Sequence, residues 1–270
     1  MSKRDNQPDW DKIAEKFDLW LPHIAPVGDE LISALSAQAG DEILDLASGT
    51  GEPALTLASR FGDKIQISGV DSAEGMIKVA QKKAAEQNLS NLSFQCMPAE
   101  QLSFGDNSYD KALCRFGVML FEDPQQGLKE IYRVLKPGGR LVLAVWNTPE
   151  TMPTLKWAYE SMKNLLPEDL YPPLLKVTSL SGIGKLDQLL EAAGFSEYTI
   201  ETKVFDYQFD SFSAYWDVIE ASDIMKMQFD AISANEKLVV RDEISQFAQA
   251  FIKDNRLVIP HEYLLACCNK

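Results

Sequence analysis

Apolar positions along this chain fall into short continuous runs separated by helical stripes. Trp10, Ile13, Ala14, Phe17 and Leu21 stand at i, i+3, i+4, i+7 and i+11, the spacing of an amphipathic helix. The pattern predicts that this helix stops at Pro22 and that a second runs from about Val27 to Gln38. Ile43, Leu44, Leu46 and Ala47 make a run short enough for one buried strand. The run breaks at Ser48-Gly49-Thr50-Gly51 and resumes as a helix opening at Glu52-Pro53. Further runs predict strands at Ile65–Val70, Leu92–Cys96, Tyr109–Cys114 and Leu141–Trp146. Helical stripes lie between them, from Ala73 to Gln87 and from Pro124 to about Leu135. Strands alternating with helices in this way point to an α/β fold.

Past Trp146 the regularity fades. Residues 147 to 180 carry Pro149, Pro153, Pro167, Pro172 and Pro173 among scattered aromatics and read as irregular. A helix at Lys185–Ala193 leads to a strand at about Tyr198–Phe209. Residues 211 to 253 read as helical and rich in aromatic and Met side chains, and a last strand is expected at about Arg256–Cys268.

Composition narrows the class. The 270 residues are 46% hydrophobic and 24% charged, enough for one substantial core, so a single domain with insertions is expected. Lys and Arg number 26 against 40 Asp and Glu, a net charge of −14. Such a surface repels phosphate backbones and argues against a nucleic-acid partner. Cys96, Cys114, Cys267 and Cys268 lack the spacing of a zinc site or a disulfide framework, so no metal is expected. The segment MSKRDNQPDW has no apolar core for a signal peptide, and no run approaches a membrane span. A cytoplasmic protein is the expectation, with its oligomeric state open.

The candidate chemistry centres on Asp45 to Gly51. A strand, a glycine turn and a helix start bring backbone close to whatever lies above the turn. Gly49-Thr50-Gly51-Glu52-Pro53-Ala54 fits the dinucleotide fingerprint, and Asp71 stands 20 residues after Gly51, at the end of the next strand. Asp71 there can accept both hydroxyls of a ribose, or simply cap the following helix. Asp45 separates the possible cofactors. A carboxylate near the end of an apolar strand is costly unless paired. A nicotinamide dinucleotide brings no cation to that turn. S-adenosylmethionine brings an ammonium and a sulfonium.

With these residues in place, Asp45-Leu46-Ala47-Ser48-Gly49-Thr50-Gly51 resembles motif I of the class I S-adenosylmethionine-dependent methyltransferases, acid-x-G-x-G-x-G. Ala47 replaces the first glycine, a mild departure if it keeps a negative φ. Asp71, Ser72 and Met76 match the family's D-S-x-x-x-M pattern, and Ala99-Glu100 match its D-A-E-x-L segment with Pro98 in place of the acid. Leu135-Lys136-Pro137-Gly138-Gly139-Arg140-Leu141 matches a recurrent architectural turn. The resemblance covers residues 40 to 147 and is closest to ubiquinone/menaquinone-type C-methyltransferases. It implies cofactor contacts from Asp45, Ala47, Ser48, Gly49 and Gly51, a ribose on Asp71 and Ser72, and adenine against Met76, Ala99 and Glu100. Arg115 and Phe116 would flank the methionyl group and the transferred methyl.

The resemblance further implies a doubly wound, Rossmann-like seven-stranded sheet whose last two strands form a hairpin, the seventh antiparallel. Residues 1–39 would form a helical lid carrying Trp10, Phe17 and Trp20. Residues 148–183 and 210–255 would cover the acceptor, with Tyr215, Trp216 and Phe229 walling its pocket. The expected activity is in-line methyl transfer from S-adenosylmethionine to a small apolar or aromatic acceptor, leaving S-adenosylhomocysteine. His261 is the candidate base, weighed against an ordinary hydrogen-bonded histidine. Two other readings remain: a binding-only partner or sensor protein, and an NAD(P)-dependent oxidoreductase.

Overall fold

The computed structural model describes residues 8–168 and 177–270. Pro172 and Pro173 lie outside them. The strands are β1 (Glu42–Leu46), β2 (Gln66–Asp71), β3 (Leu92–Cys96), β4 (Tyr109–Arg115), β5 (Leu135–Trp146), β6 (Glu197–Phe209), β7 (Ile252–Lys253) and β8 (Arg256–Asn269). They form one sheet in the order β3-β2-β1-β4-β5-β8-β6, with the two-residue β7 added to β8. The first five strands run parallel, and β8 is antiparallel to both β5 and β6. The chain moves outward from β1 through β2 to β3, then returns to β4 on the other side of β1. The order therefore reverses between β1 and β4, where open α/β sheets leave a crevice at the carboxyl ends of the strands.

Helices α3 (Ala54–Phe61) and α4 (Glu74–Glu86) make the crossovers on one side of that reversal, and α5 (Pro124–Val134) makes the crossover from β4 to β5. Right-handed crossovers place α5 on the opposite face from α3 and α4, where it packs with α7 (Ile183–Ala193). Asp123 caps α5, its carboxylate accepting the Gln126 N–H at 3.0 Å, with Pro124 in the first turn. Every residue of β5 from Leu141 to Val145 is fully buried, as expected of a central strand covered on both faces.

The N-terminal helices differ from expectation. α1 spans Trp10–Phe17, and α2 spans Leu21–Leu35. Pro22 opens α2 instead of ending a helix, because the first turn has no use for its missing N–H. Pro26 is carried inside the same helix, and Ser36 in the left-handed region closes it. The same effect hid α6 (Pro153–Met162) in the stretch read as irregular: Pro153 stands at its start, and Trp157, Ala158, Ser161 and Met162 turn one face inward.

Residues 211–253 are largely helical, as α8 (Phe212–Ala221), α9 (Lys226–Asp230) and α10 (Ala234–Ala248). Ser211 caps α8, and Ser233 with Glu236 forms a capping box on α10. Here a correction is needed. Tyr215 and Trp216 are almost fully buried, at 1% and 3% exposure, in an aromatic core of the cover. Tyr215 packs edge-on against Trp157 and Phe209, and Trp216 lies between Phe212 and Phe229. The Phe229 ring in turn carries the Lys237 ammonium 4.6 Å from its centroid. These aromatics hold α6, α8, α9 and β6 together; they are not pocket walls. Truncating Tyr215 or Trp216 to Ala is therefore expected to destabilise the protein by about 3–5 kcal/mol. Equilibrium denaturation of the two variants measures this, and a loss below about 1 kcal/mol contradicts the packing role.

Candidate active site

The glycine turn is built on strained backbone. Ala47 has φ +51°, Gly49 +54° and Gly51 +106°, so the negative φ expected for Ala47 is not found. A left-handed conformation costs a non-glycine residue about 1–2 kcal/mol. Gly117 accommodates it: a Cβ built there would collide with the Ala47 methyl. The two glycines of the turn do different jobs. A Cβ at Gly51 would meet Leu55 Cδ1 at 2.7 Å and Phe94 Cζ at 3.2 Å, whereas a Cβ at Gly49 meets nothing within 4 Å. Gly51 is thus required by the protein's own packing and does not line the cavity, contrary to its expected role. Gly49 does line it and keeps it open.

Asp71 fixes this turn. Its Oδ2 accepts the Gly49 N–H and its Oδ1 the Ala73 N–H, both at 2.9 Å. Capping and cavity-lining, posed as alternatives from sequence, coexist: each oxygen retains a lone pair, and Asp71 stands on the cavity wall. Burial pushes its pKa above the usual carboxylate range, against the two N–H groups that pull it down.

The cavity above the turn has a volume of about 660 Å³. Its nucleoside-sized end is lined by Ala47, Ser48, Gly49, Asp71, Ser72 and Met76, with Met97, Pro98, Ala99 and Glu100 continuing the wall. Glu100 has a structural task as well, its Oε1 accepting the Asp123 N–H at 3.2 Å across the rim. Ser48 Oγ is buried behind this wall without a partner among the described residues.

Asp45 is placed differently from expectation. It is 1% exposed, no side chain among the described residues hydrogen-bonds its carboxylate, and it lies beneath the turn instead of on the cavity wall. Burial raises its pKa well above the usual range; Arg115 and the Ala54 N–H oppose that shift, while Glu52 and Asp71 add to it. The cation that acts on Asp45 in this structure is therefore Arg115, whose Nη2 also donates to the Glu52 carbonyl at 2.9 Å. Sequence reasoning missed Glu52, which lines the cavity beside Arg115. Asp45, Glu52 and Asp71 together surround the turn with acidic groups.

The other end is apolar. Phe116, itself at φ +59°, stacks on Trp146 with ring centroids 3.8 Å apart. Trp10, Phe17 and Trp20 line the cavity from α1 and its junction with α2. Polar contacts fasten these helices to the glycine turn, to α4 and to the cover. Asp18 accepts from Thr50 Oγ1 at 2.6 Å and pairs with Lys83 at 2.5 Å, Asp11 accepts the Gly75 N–H at 2.6 Å, and Lys16 pairs with Asp223. The cover contributes Thr154, Leu155 and Ala158 from α6, Tyr207 from β6, and Ile219, Met225 and Gln228, not Tyr215, Trp216 or Phe229. Alternation along β6 and the inward face of α6 are the signals that could have found Tyr207 and Thr154.

His261 does not reach the cavity. It is fully buried, with Nδ1 3.0 Å from the Ile259 carbonyl and Nε2 2.8 Å from Thr154 Oγ1. Burial lowers its pKa to about 4, so the ring is neutral and poorly suited to take a proton. Among the described residues no group of three His, Cys, Asp or Glu side chains is gathered for a metal, and no helix is long and apolar enough to cross a membrane.

The reversal point of this sheet, the antiparallel β8 and the glycine turn define a class I methyltransferase fold of Rossmann-like topology. Solved structures agree. The YcgJ protein from Bacillus subtilis superposes with a TM-score of 0.64 at 20% identity, over 91% of this chain and 98% of that one. A putative methyltransferase from Bacillus halodurans gives 0.61 at 23% identity, over 90% and 98%. The ubiE/COQ5 methyltransferase family model matches residues 17–170, and the chain belongs to that family. A ubiquinone/menaquinone biosynthesis C-methyltransferase of Geotalea daltonii is 35% identical over 147 residues, 52% of this chain and 62% of the relative. A demethylmenaquinone methyltransferase of Bacteroides fragilis is 35% identical over 159 residues, 53% and 64%. The match spans less than two thirds of each relative.

Two measurements test the site. Gly49→Val is expected to abolish S-adenosylhomocysteine binding in calorimetry with a modest loss of stability, while Gly51→Val chiefly unfolds the protein; the reverse order refutes the assignment. His261 gives a pH signature. Its folded pKa of about 4 lies below the roughly 6.5 of an unfolded histidine, so the unfolded chain binds a proton first as pH falls. Its contribution is intact above pH ~6.5 and declines down to pH ~4, by about 2 kcal/mol at pH 5. The stability difference between wild type and His261→Gln should shrink by that amount between pH 7.5 and pH 5, and a constant difference excludes the shift.

Proposed function

We propose that this chain transfers a methyl group from S-adenosylmethionine to a small, largely apolar or aromatic acceptor. The observation that carries the reading is the acidic, unobstructed glycine turn. A nucleoside fits with its ribose on the spare lone pairs of Asp71, against Ser48 and the open face of Gly49. Glu52, on the cavity wall beside the turn, favours a cationic cofactor over a pyrophosphate, which disfavours a nicotinamide dinucleotide.

When bound, S-adenosylmethionine supplies a methyl group already activated by a positive sulfur. The chain's task is then positional. Asp71 and the turn hold the nucleoside, Met76 and Ala99 pack beside it, and Glu52, Arg115 and Asp45 set the field around the methionyl end. Phe116 and Trp146, stacked on one another with Tyr207 edge-on to Trp146, provide an aromatic corner that orients the acceptor. Trp10, Phe17 and Trp20, held by Asp11 and Asp18, exclude water. Orientation and desolvation of this kind can supply much of the rate without a general base.

The curated relatives are named for ubiquinone and menaquinone biosynthesis and for demethylmenaquinone. An aromatic redox head group of that kind is the acceptor class we carry over. Its precise identity is not inherited, because α8 to α10 and β6 lie outside the matched residues 17–170. The acidic surface leaves nucleic acid an unfavourable partner, and a cytoplasmic setting with reduced cysteines suits the four free thiols.

Titration calorimetry tests the reading. S-adenosylmethionine and S-adenosylhomocysteine should bind, and NAD and NADP should not. Asp71→Ala should weaken S-adenosylhomocysteine by about 1–3 kcal/mol. Nicotinamide binding with no response to S-adenosylhomocysteine defeats the proposal. Labelled methyl that stays on the cofactor in the presence of demethylated naphthoquinols favours a binding-only protein.

A further inference from the structure

The polar contacts at the acceptor end are few, and one is fixed in direction. The Ile259 carbonyl can only accept, so the His261 proton sits on Nδ1. Nε2 is then an acceptor, and the partner 2.8 Å away, Thr154 Oγ1, must be its donor. The single hydroxyl hydrogen of Thr154 is thereby committed behind the wall. Thr154 lines the cavity beside Met152, Leu155 and Ala158, and its Oγ1 has lone pairs left to offer but no hydrogen.

The imidazole is locked in this arrangement. It is fully buried, with Tyr207 4.2 Å, Phe205 6.0 Å and Trp146 6.1 Å away between ring centroids. Burial keeps it neutral, so the hydroxyl orientation persists through the physiological range. Trp20, another residue of the same wall, has its ring 6.0 Å from that of Tyr207.

We propose that Thr154, oriented by His261, is the residue that selects the methyl acceptor, and that the acceptor docks by donating an O–H hydrogen bond to Thr154 Oγ1. The inference rests on the methyl-transfer reading of this cavity and adds its specificity. An ether or a carbonyl placed at Thr154 would set two lone-pair oxygens face to face in a dry site, which is repulsive and leaves both unsatisfied. A hydroxyl there is matched. His261 touches no substrate and is a positioning residue. The proton remains on the acceptor oxygen, so no group transfer is assigned to this contact.

Binding of naphthol and of its methyl ether to the full chain tests this, by calorimetry with and without S-adenosylhomocysteine. Wild type should prefer naphthol by about tenfold, the worth of one well-made hydrogen bond. Thr154→Val, or Thr154→Ala should the first fail to fold, should bring the two ligands within about twofold, while Thr154→Ser keeps the preference. His261→Phe provides the readout that a merely structural role would not move. With Nε2 gone, the intact Thr154 hydroxyl is free to donate, so the ether should gain on naphthol. A preference that survives Thr154→Val, a wild type that does not discriminate, or one that binds neither probe overturns the proposal. Discrimination without S-adenosylhomocysteine binding supports this contact and defeats the methyl-transfer reading; cofactor binding without discrimination does the opposite.

Discussion

The structure depends first on the carboxylate of Asp71. By accepting the N–H groups of Gly49 and Ala73 it binds the turn after β1 to the end of β2 and the start of α4. The same contact lets a left-handed backbone at Ala47 and Gly49 persist, since a strained turn survives only where its surroundings over-determine it. Gly117 on the neighbouring strand end yields the space that the Ala47 methyl occupies. A carboxylate used this way is a structural staple and an open hydrogen-bond acceptor at once, and the crevice inherits its shape from the staple.

Around that point the cavity is assembled from two kinds of material. Its nucleoside end comes from strand ends and turns of a parallel sheet, positioned by ladder hydrogen bonds and hardly adjustable. Its acceptor end joins Phe116, Trp146 and Tyr207 at strand ends to helices that touch the sheet through side chains. Those helices are held by a few polar struts, Asp18 to Thr50 and Lys83, Asp11 to the Gly75 N–H, and Lys16 to Asp223. Exposed pairs of this sort contribute little stability, but they fix where Trp10, Phe17 and Trp20 stand. The division matches the comparison with relatives, which reaches residue 170 and leaves α8 to α10 unmatched.

Buried polar groups stand behind both ends. Ser48 Oγ lacks a partner at one, and Trp20 Nε1 at the other. Unpaired buried groups are costly, and these two belong to residues of the cavity wall. His261 illustrates the opposite case. Both its ring nitrogens are satisfied, and it influences the cavity only through the hydroxyl it orients.

How much was legible in the sequence follows from how local each interaction is. The order of strands and helices to Trp146, the glycine turn, and Asp71 at a strand end are carried by short-range periodicity and by residue types that only certain backbones accept. Prolines misled where their position in a helix mattered more than their presence: Pro22 and Pro153 open helices that were read as breaks. The aromatic-rich cover was recognised, yet Tyr215, Trp216 and Phe229 were assigned to a wall they do not form, since composition cannot tell an aromatic core from an aromatic pocket. Gly51 answers to Leu55 and Phe94, Asp45 answers to Arg115 brought from β4, and His261 answers to Thr154 across 107 residues of chain. The amino-acid sequence by itself determined the strands, the turn and the chemistry they favour, because periodicity and turn-forming residue types are written locally in the chain. Which side chains face the acceptor was decided only by the tertiary structure, because side-chain direction there depends on packing between elements far apart in the chain.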